Sequence, residues 1–221
     1  MELSYWLSRW RKNKIGFHMA EGYSSLEHHL ANISFPNNQT ALVPLCGKSL
    51  DLITLTNHFN NVIGVEISEK AIKGFLQEQN LTATESSFAD FKIFQTETIT
   101  LWCGDFMKLP AHKIPAIDLI YDKAALVALP PEKRPGYAEK LVSHCSDSTF
   151  IMLHHFIYNQ DEMPGPPFSV SEVELNNYFG KGFNSKLLEE NNIDLNRFKK
   201  FQYRGLKSGL RERFILFTSK I

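Results

Sequence analysis

The chain has 221 residues, with 24 basic and 24 acidic side chains, 43% hydrophobic residues and 12% aromatic residues. This length and composition are typical of one compact globular domain with a full apolar core. The balanced charge disfavours a nucleic-acid platform, and no apolar run approaches the roughly 20 residues that span a bilayer. The N-terminus lacks the apolar segment of a signal peptide, and the three cysteines have no metal-ligand spacing. We therefore expect a cytoplasmic protein with reduced thiols and no metal.

Residues 1–35 are predicted to be helical, with Trp6 and Trp10 on one helix face because they lie four positions apart. Predicted strands and helices then alternate to the end of the chain. Strands are predicted at about residues 41–45, 62–65, 91–94, 98–103, 117–121, 149–158 and 212–218, and helices from about Ser49, Ser68 and Pro130. This alternation indicates a mostly parallel sheet with helices on both faces. No repeat or long linker interrupts it, so residues 1–221 are predicted to form one domain.

The first predicted strand-to-helix turn is the expected ligand site. In α/β sheets, ligands bind beyond the carboxyl ends of the strands. This turn runs from Pro44 to Asp51, and Glu66 ends the second strand 21 residues after Leu45. A carboxylate in that place is typical of one that accepts hydrogen bonds from two ribose hydroxyls. Spacing alone leaves open that Glu66 merely ends a strand.

Two phosphate-binding patterns fail at this turn. Gly47, Lys48 and Ser49 resemble the end of a phosphate loop, but Leu42 stands where that motif needs its first glycine. The dinucleotide fingerprint needs three glycines, and Gly47 supplies one. The turn therefore suits a ribose-bearing ligand without pyrophosphate, and S-adenosylmethionine has that chemistry.

Several segments resemble the thiopurine S-methyltransferase family, in its bacterial form. The matching segments are WLSRW (6–10), IGFH (15–18), VPLCGKSLD (43–51), GVEISE (64–69), LWCGDF (101–106), YDKAAL (121–126), ALPP (128–131) and GPPFSV (165–170). They occur in order over most of residues 5–170, and the resemblance fades after about residue 180.

The resemblance implies a Rossmann-like class I S-adenosylmethionine-dependent methyltransferase fold with an antiparallel closing strand. Residues 1–35 would form an N-terminal helical lid. S-adenosyl-L-methionine would be the cofactor, and the enzyme would methylate the sulfur of small aromatic or heterocyclic thiols such as thiopurines. Detoxification is expected as the role, above all for the alternative selenium and tellurium acceptors. The enzyme would act on a small-molecule thiol or selenol as a monomer. It would bind neither nucleic acid nor a membrane.

The same resemblance assigns cofactor contacts to Trp10, Leu45, Glu66, Asp105 and Phe106. Glu66 would bind the ribose, Trp10 would cover the pocket, and Asp105 and Phe106 would flank the adenine. Each has a plainer interpretation, because a tryptophan or phenylalanine often packs in a core and an aspartate often caps a turn.

Two further residues are implied at the acceptor side. Phe17 matches the family position that lines the acceptor pocket. Lys123 stands where the family usually has arginine, so the positive charge is kept but the planar fork is lost. No residue is assigned as catalytic with certainty, since an aromatic thiol is largely ionised near neutral pH. His154 and His155 are possible proton acceptors, and either could also be a core histidine.

Other functions stay open at this point. Related enzymes methylate selenium or tellurium compounds, halide or thiocyanate, which makes such acceptors the main alternative. A relative that binds the cofactor without transferring methyl is a second alternative, because of Lys123. A nicotinamide oxidoreductase is disfavoured by the missing glycines.

Overall fold

The computed structural model describes residues 3–35, 39–196 and 199–220. The chain divides into two compact units, Met1–Ile120 and Tyr121–Ile221. Met1 and Glu2, which begin the predicted lid, lie outside the described residues. None of the helices in the described ranges is both long and apolar enough to cross a membrane.

The N-terminal segment of the first unit is less helical than predicted. It contains α1 (Leu3–Arg11) and α2 (Leu26–Ala31), joined by turns over residues 12–25. Asn13 and Gly22 have positive φ angles of 52° and 69°. A right-handed helix cannot contain this left-handed backbone, so the helical pattern is interrupted at both positions.

The sheet of the first unit has a parallel centre and an antiparallel edge. Its strands are β1 (Thr40–Pro44), β2 (Asn61–Glu66), β3 (Thr84–Phe88), β4 (Phe91–Gln95), β5 (Ile99–Cys103) and the start of β6 (Leu119–Lys123). Their order is β3-β4-β5-β2-β1-β6. Strands β5, β2, β1 and β6 run parallel, whereas β3 and β4 pair antiparallel. Nearly every residue of β1 and β2 is buried, as expected for central strands covered on both faces.

Two helices of the first unit follow the strands that carry the expected site. Helix α4 (Glu69–Glu78) begins as predicted, because the Ser68 hydroxyl accepts a hydrogen bond from the Ala71 N–H. Helix α3 (Asp51–Thr56) begins two residues later than predicted. Ser49 Oγ accepts from the Asp51 N–H at 3.3 Å, but Leu50 occupies the N-cap position.

The second unit contains the remainder of β6 and three further strands. These are β7 (Phe150–Ile157), β8 (Phe183–Ile193) and β9 (Leu210–Ser219), in the order β6-β7-β9-β8, with helices α5 (Arg134–Val142), α6 (Glu172–Phe179) and α7 (Lys199–Gln202). Strand β9 pairs antiparallel with both β7 and β8. The predicted α/β class, with a mostly parallel sheet and an antiparallel closing strand, is confirmed.

Candidate functional site

The turn after β1 is held against the end of β2 by backbone geometry. Leu45 and Gly47 have left-handed φ angles of 48° and 58°. For Leu45 this conformation costs roughly 1–2 kcal/mol, whereas glycine adopts it freely. The N–H of Cys46 donates to the Val65 carbonyl at 3.0 Å. The strained turn is therefore tied to β2, directly beside Glu66.

Glu66 is a buried carboxylate at the carboxyl end of β2, with 5% of its surface exposed. Its Oε2 accepts a hydrogen bond from the Gly47 N–H at 3.0 Å and its Oε1 one from the Ser68 N–H at 2.8 Å. Burial raises the pKa of Glu66 to about 7, although the N–H groups of Ser68, Gly47 and Ile67 lower it. Because each carboxylate oxygen has two lone pairs, both oxygens can accept a further donor. The group is thus suited to bind a pair of hydroxyls.

Trp10 of α1 lies against this turn. Its side chain is 4% exposed, and a Cβ added at Gly47 would lie 3.2 Å from Trp10 Cζ2. Phe17 packs edge-on against both Trp6 and Trp10, with ring centroids 5.3 and 5.5 Å apart, and keeps 43% of its surface exposed. These aromatic rings therefore form a cover beside the Gly47 turn, with one open apolar surface at Phe17.

Asp105 and Phe106 follow β5 at the same end of the sheet. The N–H of Gly104 donates to the backbone carbonyl of Glu66 at 3.0 Å, which brings this segment beside β2. Asp105 is half-buried and its Oδ1 accepts from the Met107 N–H at 3.0 Å, which caps a 3₁₀ turn over residues 106–108. Phe106 is buried. Asp105 therefore has a structural capping role, and one of its carboxylate oxygens makes that bond.

Lys123 lies in the second unit, where it ends β6 and is half-buried. The preceding Asp122 is fully buried and accepts from the N–H groups of Ala125 and Leu126, both at 3.1 Å, and from the Tyr137 hydroxyl at 2.8 Å. Burial raises the pKa of Asp122 to about 6, although its bonds from Leu126, Tyr137 and Ala125 lower it. Sequence reasoning missed this network, since nothing in the pattern links Tyr137 to β6.

His154 and His155 of β7 both make contacts within the second unit. His154 Nε2 lies 2.6 Å from Glu212 Oε1, and His155 Nδ1 lies 2.9 Å from the Val170 carbonyl. Burial lowers the pKa of His155 to about 4, so that side chain is neutral near pH 7. Both histidines of this strand therefore make polar contacts with neighbouring segments of the second unit.

In the first unit, the structure thus brings five of the sequence-predicted site residues to the carboxyl ends of the parallel strands, and Phe17 packs on one of them. The five are Trp10, Leu45, Glu66, Asp105 and Phe106. Lys123 belongs to the second unit. A contact of the buried Asp51 with the Tyr23 backbone was also missed, because a backbone donor carries no mark in the sequence.

Several solved structures with similar folds are named as methyltransferases. An S-adenosylmethionine-dependent methyltransferase from Anabaena variabilis superposes with a TM-score of 0.67 and 13% identity, covering 98% of this chain and 94% of that chain. The 1,6-didemethyltoxoflavin-N1-methyltransferase of Burkholderia thailandensis gives a TM-score of 0.61 and 13% identity, covering 97% and 86%. These matches confirm the Rossmann-like methyltransferase fold.

Sequence comparison is more specific. Residues 1–219 match the family described as Thiopurine S-methyltransferase (TPMT). The protein named thiopurine S-methyltransferase in Pseudomonas fluorescens (strain Pf0-1) is 38% identical to this chain over 193 residues, which cover 87% of this chain and 88% of that protein. The relative of that name in Marinobacter nauticus is 35% identical over the full length of both chains. The chain therefore belongs to the thiopurine S-methyltransferase family, and it is an S-adenosylmethionine-dependent S-methyltransferase.

Proposed function

We propose that the methyl acceptor is the sulfur of a small aromatic or heterocyclic thiol such as a thiopurine. We also propose that residues 1–221 act as one methyltransferase domain with residues 1–35 as its lid. The observation that carries the site assignment is the buried Glu66 carboxylate, which accepts from the Gly47 N–H beside Trp10. It supplies an acceptor for hydroxyls next to a turn that has no phosphate-binding pattern.

The residues around Glu66 fit S-adenosylmethionine, which when bound supplies a methyl group activated on a sulfonium. Glu66 would hold the ribose through the two free acceptor positions of its carboxylate. The backbone of the turn at Leu45 and Gly47 would face the methionine end. Phe106 would pack against the adenine, and Asp105 would lie near its exocyclic amine.

The lid would act by excluding water and fixing orientation. Trp10 would cover the cofactor, and Phe17, which is 43% exposed, would provide a flat apolar wall for an aromatic acceptor. Water exclusion and alignment are major sources of rate in a group transfer of this type.

Lys123 would provide positive charge near an anionic thiolate or selenolate, and no general base is required for an acceptor that is already ionised. The cationic charge of the family arginine is kept, whereas its bidentate geometry is not. We further propose a cytoplasmic monomer that acts on a small molecule in detoxification, and the balanced charge supports the expectation that it binds no nucleic acid.

The test of this proposal is methyl transfer from isotope-labelled S-adenosylmethionine to 6-mercaptopurine, with the product identified by mass. We expect methylation at sulfur. Parallel reactions with selenite, tellurite, iodide and thiocyanate test the alternative acceptors. Product with an inorganic acceptor and none with the thiopurine would overturn the proposed acceptor class, and binding of S-adenosylhomocysteine without any product would indicate a non-catalytic relative.

Lys123→Arg is expected to raise kcat/KM for the thiopurine roughly 3- to 10-fold, the scale of the net contribution of one added hydrogen bond. The restored planar fork can make a bidentate contact that an ammonium group cannot make. Cofactor affinity should stay the same, as measured by calorimetry with S-adenosylhomocysteine. Lys133→Arg, on an exposed residue of the same unit, is the control. A large loss of cofactor affinity would contradict the acceptor role of Lys123.

Cofactor binding should strengthen as pH rises through about 7, because burial raises the pKa of Glu66 to that value. Hydroxyl donors bind the ionised carboxylate best, so its ionised fraction limits affinity below pH 7. Between pH 6 and pH 8 this fraction rises about tenfold, and we expect a similar gain in affinity for S-adenosylhomocysteine. Glu66→Gln retains any titration of the ligand itself and serves as the control. An equally steep pH dependence in that variant would rule out Glu66 as its source.

A further inference from the structure

Asp51 is a buried acidic residue without a role in the function described above. It is the first residue of α3, directly after the turn that contains Leu45 and Gly47, and only 1% of its surface is exposed. A carboxylate in this environment is costly unless it accepts hydrogen bonds. Asp51 Oδ1 accepts one from the Tyr23 N–H at 2.6 Å. The bond joins the turns between α1 and α2 to the helix that follows the cofactor turn.

The neighbouring Gly22 shows how closely the chain passes Asp51 at this point. Its φ angle is +69°, and a Cβ added there would lie 2.7 Å from Asp51 Oδ1 and 3.4 Å from Leu50 Cβ. A side chain would therefore collide with the carboxylate and would also strain the backbone. Both the conformation and the space favour glycine, as expected for a fixed contact.

Two hydrogen bonds flank residues 12–22, the stretch of the N-terminal segment that carries Phe17. At the end of α1, Lys70 Nζ donates to the Arg11 carbonyl at 3.2 Å, in an exposed position. After this stretch, the Tyr23 N–H donates to Asp51, whose side chain is buried, and a hydrogen bond to a charged group is stronger than one between neutral groups. Phe17 lies between these two attachments and packs on Trp10.

From these contacts we infer that Asp51 is a positioning residue that fixes the lid, and with it Phe17, relative to the cofactor turn. The inference rests on the proposed function, because it takes residues 1–35 as the lid of the site. Asp51 acts through the Tyr23 backbone and touches neither the cofactor nor the acceptor in this role. Loss of the Asp51 side chain should therefore affect the position of Phe17 more than the hydrogen bond between Glu66 and the Gly47 N–H.

The experiment combines hydrogen–deuterium exchange over residues 12–23 with steady-state kinetics. In Asp51→Ala saturated with S-adenosylhomocysteine, exchange in this segment should be about tenfold faster, the factor for losing one hydrogen bond to a charged group. KM for 6-mercaptopurine should rise by a similar factor. Asp51→Asn keeps an acceptor oxygen for the Tyr23 N–H and should restore most of both properties. Gly22→Ala, which keeps Asp51 but displaces the chain, should reproduce the effects of Asp51→Ala.

Asp118 offers a matched control in the same unit. It is also buried, with 4% exposed, and its Oδ2 accepts from the N–H groups of Gln39 and Thr40 at 2.9 and 3.0 Å. These bonds lie at the start of β1, away from the Gly47 turn. Asp118→Ala should lower stability without selectively accelerating hydrogen–deuterium exchange in residues 12–23 and without raising KM for 6-mercaptopurine.

Two results would overturn the inference. One is faster exchange spread evenly over the first unit in Asp51→Ala, as expected of a structural carboxylate. The other is an unchanged KM in Asp51→Ala and Gly22→Ala while wild type methylates the thiopurine. If wild type forms no methylated thiopurine, the proposed acceptor fails, and the exchange measurement, which needs no acceptor, then decides alone for or against the role of Asp51.

Discussion

Glu66→Ala is expected to weaken binding of S-adenosylhomocysteine by roughly 1–3 kcal/mol, the scale of hydrogen bonds lost to a charged group. The substitution removes the proposed acceptor of the ribose hydroxyls. It also leaves the N–H groups of Gly47 and Ser68 without their acceptor, since both donate to this carboxylate. The turn beside Trp10 then loses one of the contacts that holds its conformation. Titration calorimetry of the wild type and the variant measures the effect.

A nearby carboxylate separates this effect from a general change in charge. Glu69 begins α4 and forms ion pairs with Lys73 and Lys92, both at 2.9 Å, near the surface. Glu69→Ala removes the same charge three residues away and should leave cofactor affinity within about twofold of wild type, as expected for exposed pairs. Equal affinities of wild type and Glu66→Ala would remove Glu66 from the site.

The elements that position Glu66 could be predicted because their signals are local. Ser68 caps α4 through its own side chain, and the apolar positions of that helix, Ala71, Ile72, Phe75 and Leu76, are all buried. Strand β2 is an apolar run that ends in one acid, so both its position and its carboxyl end can be inferred from sequence. The spacing from Leu45 to Glu66 then places the carboxylate beside the turn.

Strands β3 and β8 were missed because their side chains are largely exposed. Strand β3 has the sequence TESSF, and β8 has an irregular register between Leu187 and Glu189 in a mostly polar stretch. An edge strand buries few residues, so the alternation of apolar and polar residues that identifies a strand is weak there. These strands are instead defined by their pairing with a neighbouring strand, β4 for β3 and β9 for β8.

The contacts of the site residues also differ in whether they can be predicted from the sequence. Spacing predicts where Glu66 lies, and capping by Asp105 is an interpretation that the sequence allows, because its bond from the Met107 N–H is local. The sequence does not predict that Asp51 binds the Tyr23 N–H, 28 residues away. That donor is a backbone group, which every residue except proline carries, so no residue type identifies the partner. The role proposed for Asp51 therefore depends on tertiary structure, whereas the role of Glu66 can be argued from the sequence as well.

Asp122→Ala is expected to lower the free energy of unfolding by roughly 3 kcal/mol or more, because buried donors that lose their acceptor cost about 1–3 kcal/mol each and do not add fully. The donors are the N–H groups of Ala125 and Leu126 and the hydroxyl of Tyr137. Urea unfolding measures the change. Tyr137→Phe, which leaves the two backbone bonds in place, should cost about 1 kcal/mol.

Comparing the pH dependence of stability in wild type and in Asp122→Asn tests whether ionisation of this carboxyl group contributes to stability. Burial raises the pKa of Asp122 from 3.8 to about 6 in the folded chain, so the folded state binds more protons than the unfolded state between these values. Stability conferred by this group therefore falls as pH rises from about 4 to about 6. Asparagine cannot ionise, and Asp122→Asn should lose this part of the pH dependence while Glu66 retains its own. If the stability of wild type and Asp122→Asn changed in parallel over this range, the pKa of Asp122 would be the same in the folded and unfolded chains, and burial would not be raising it.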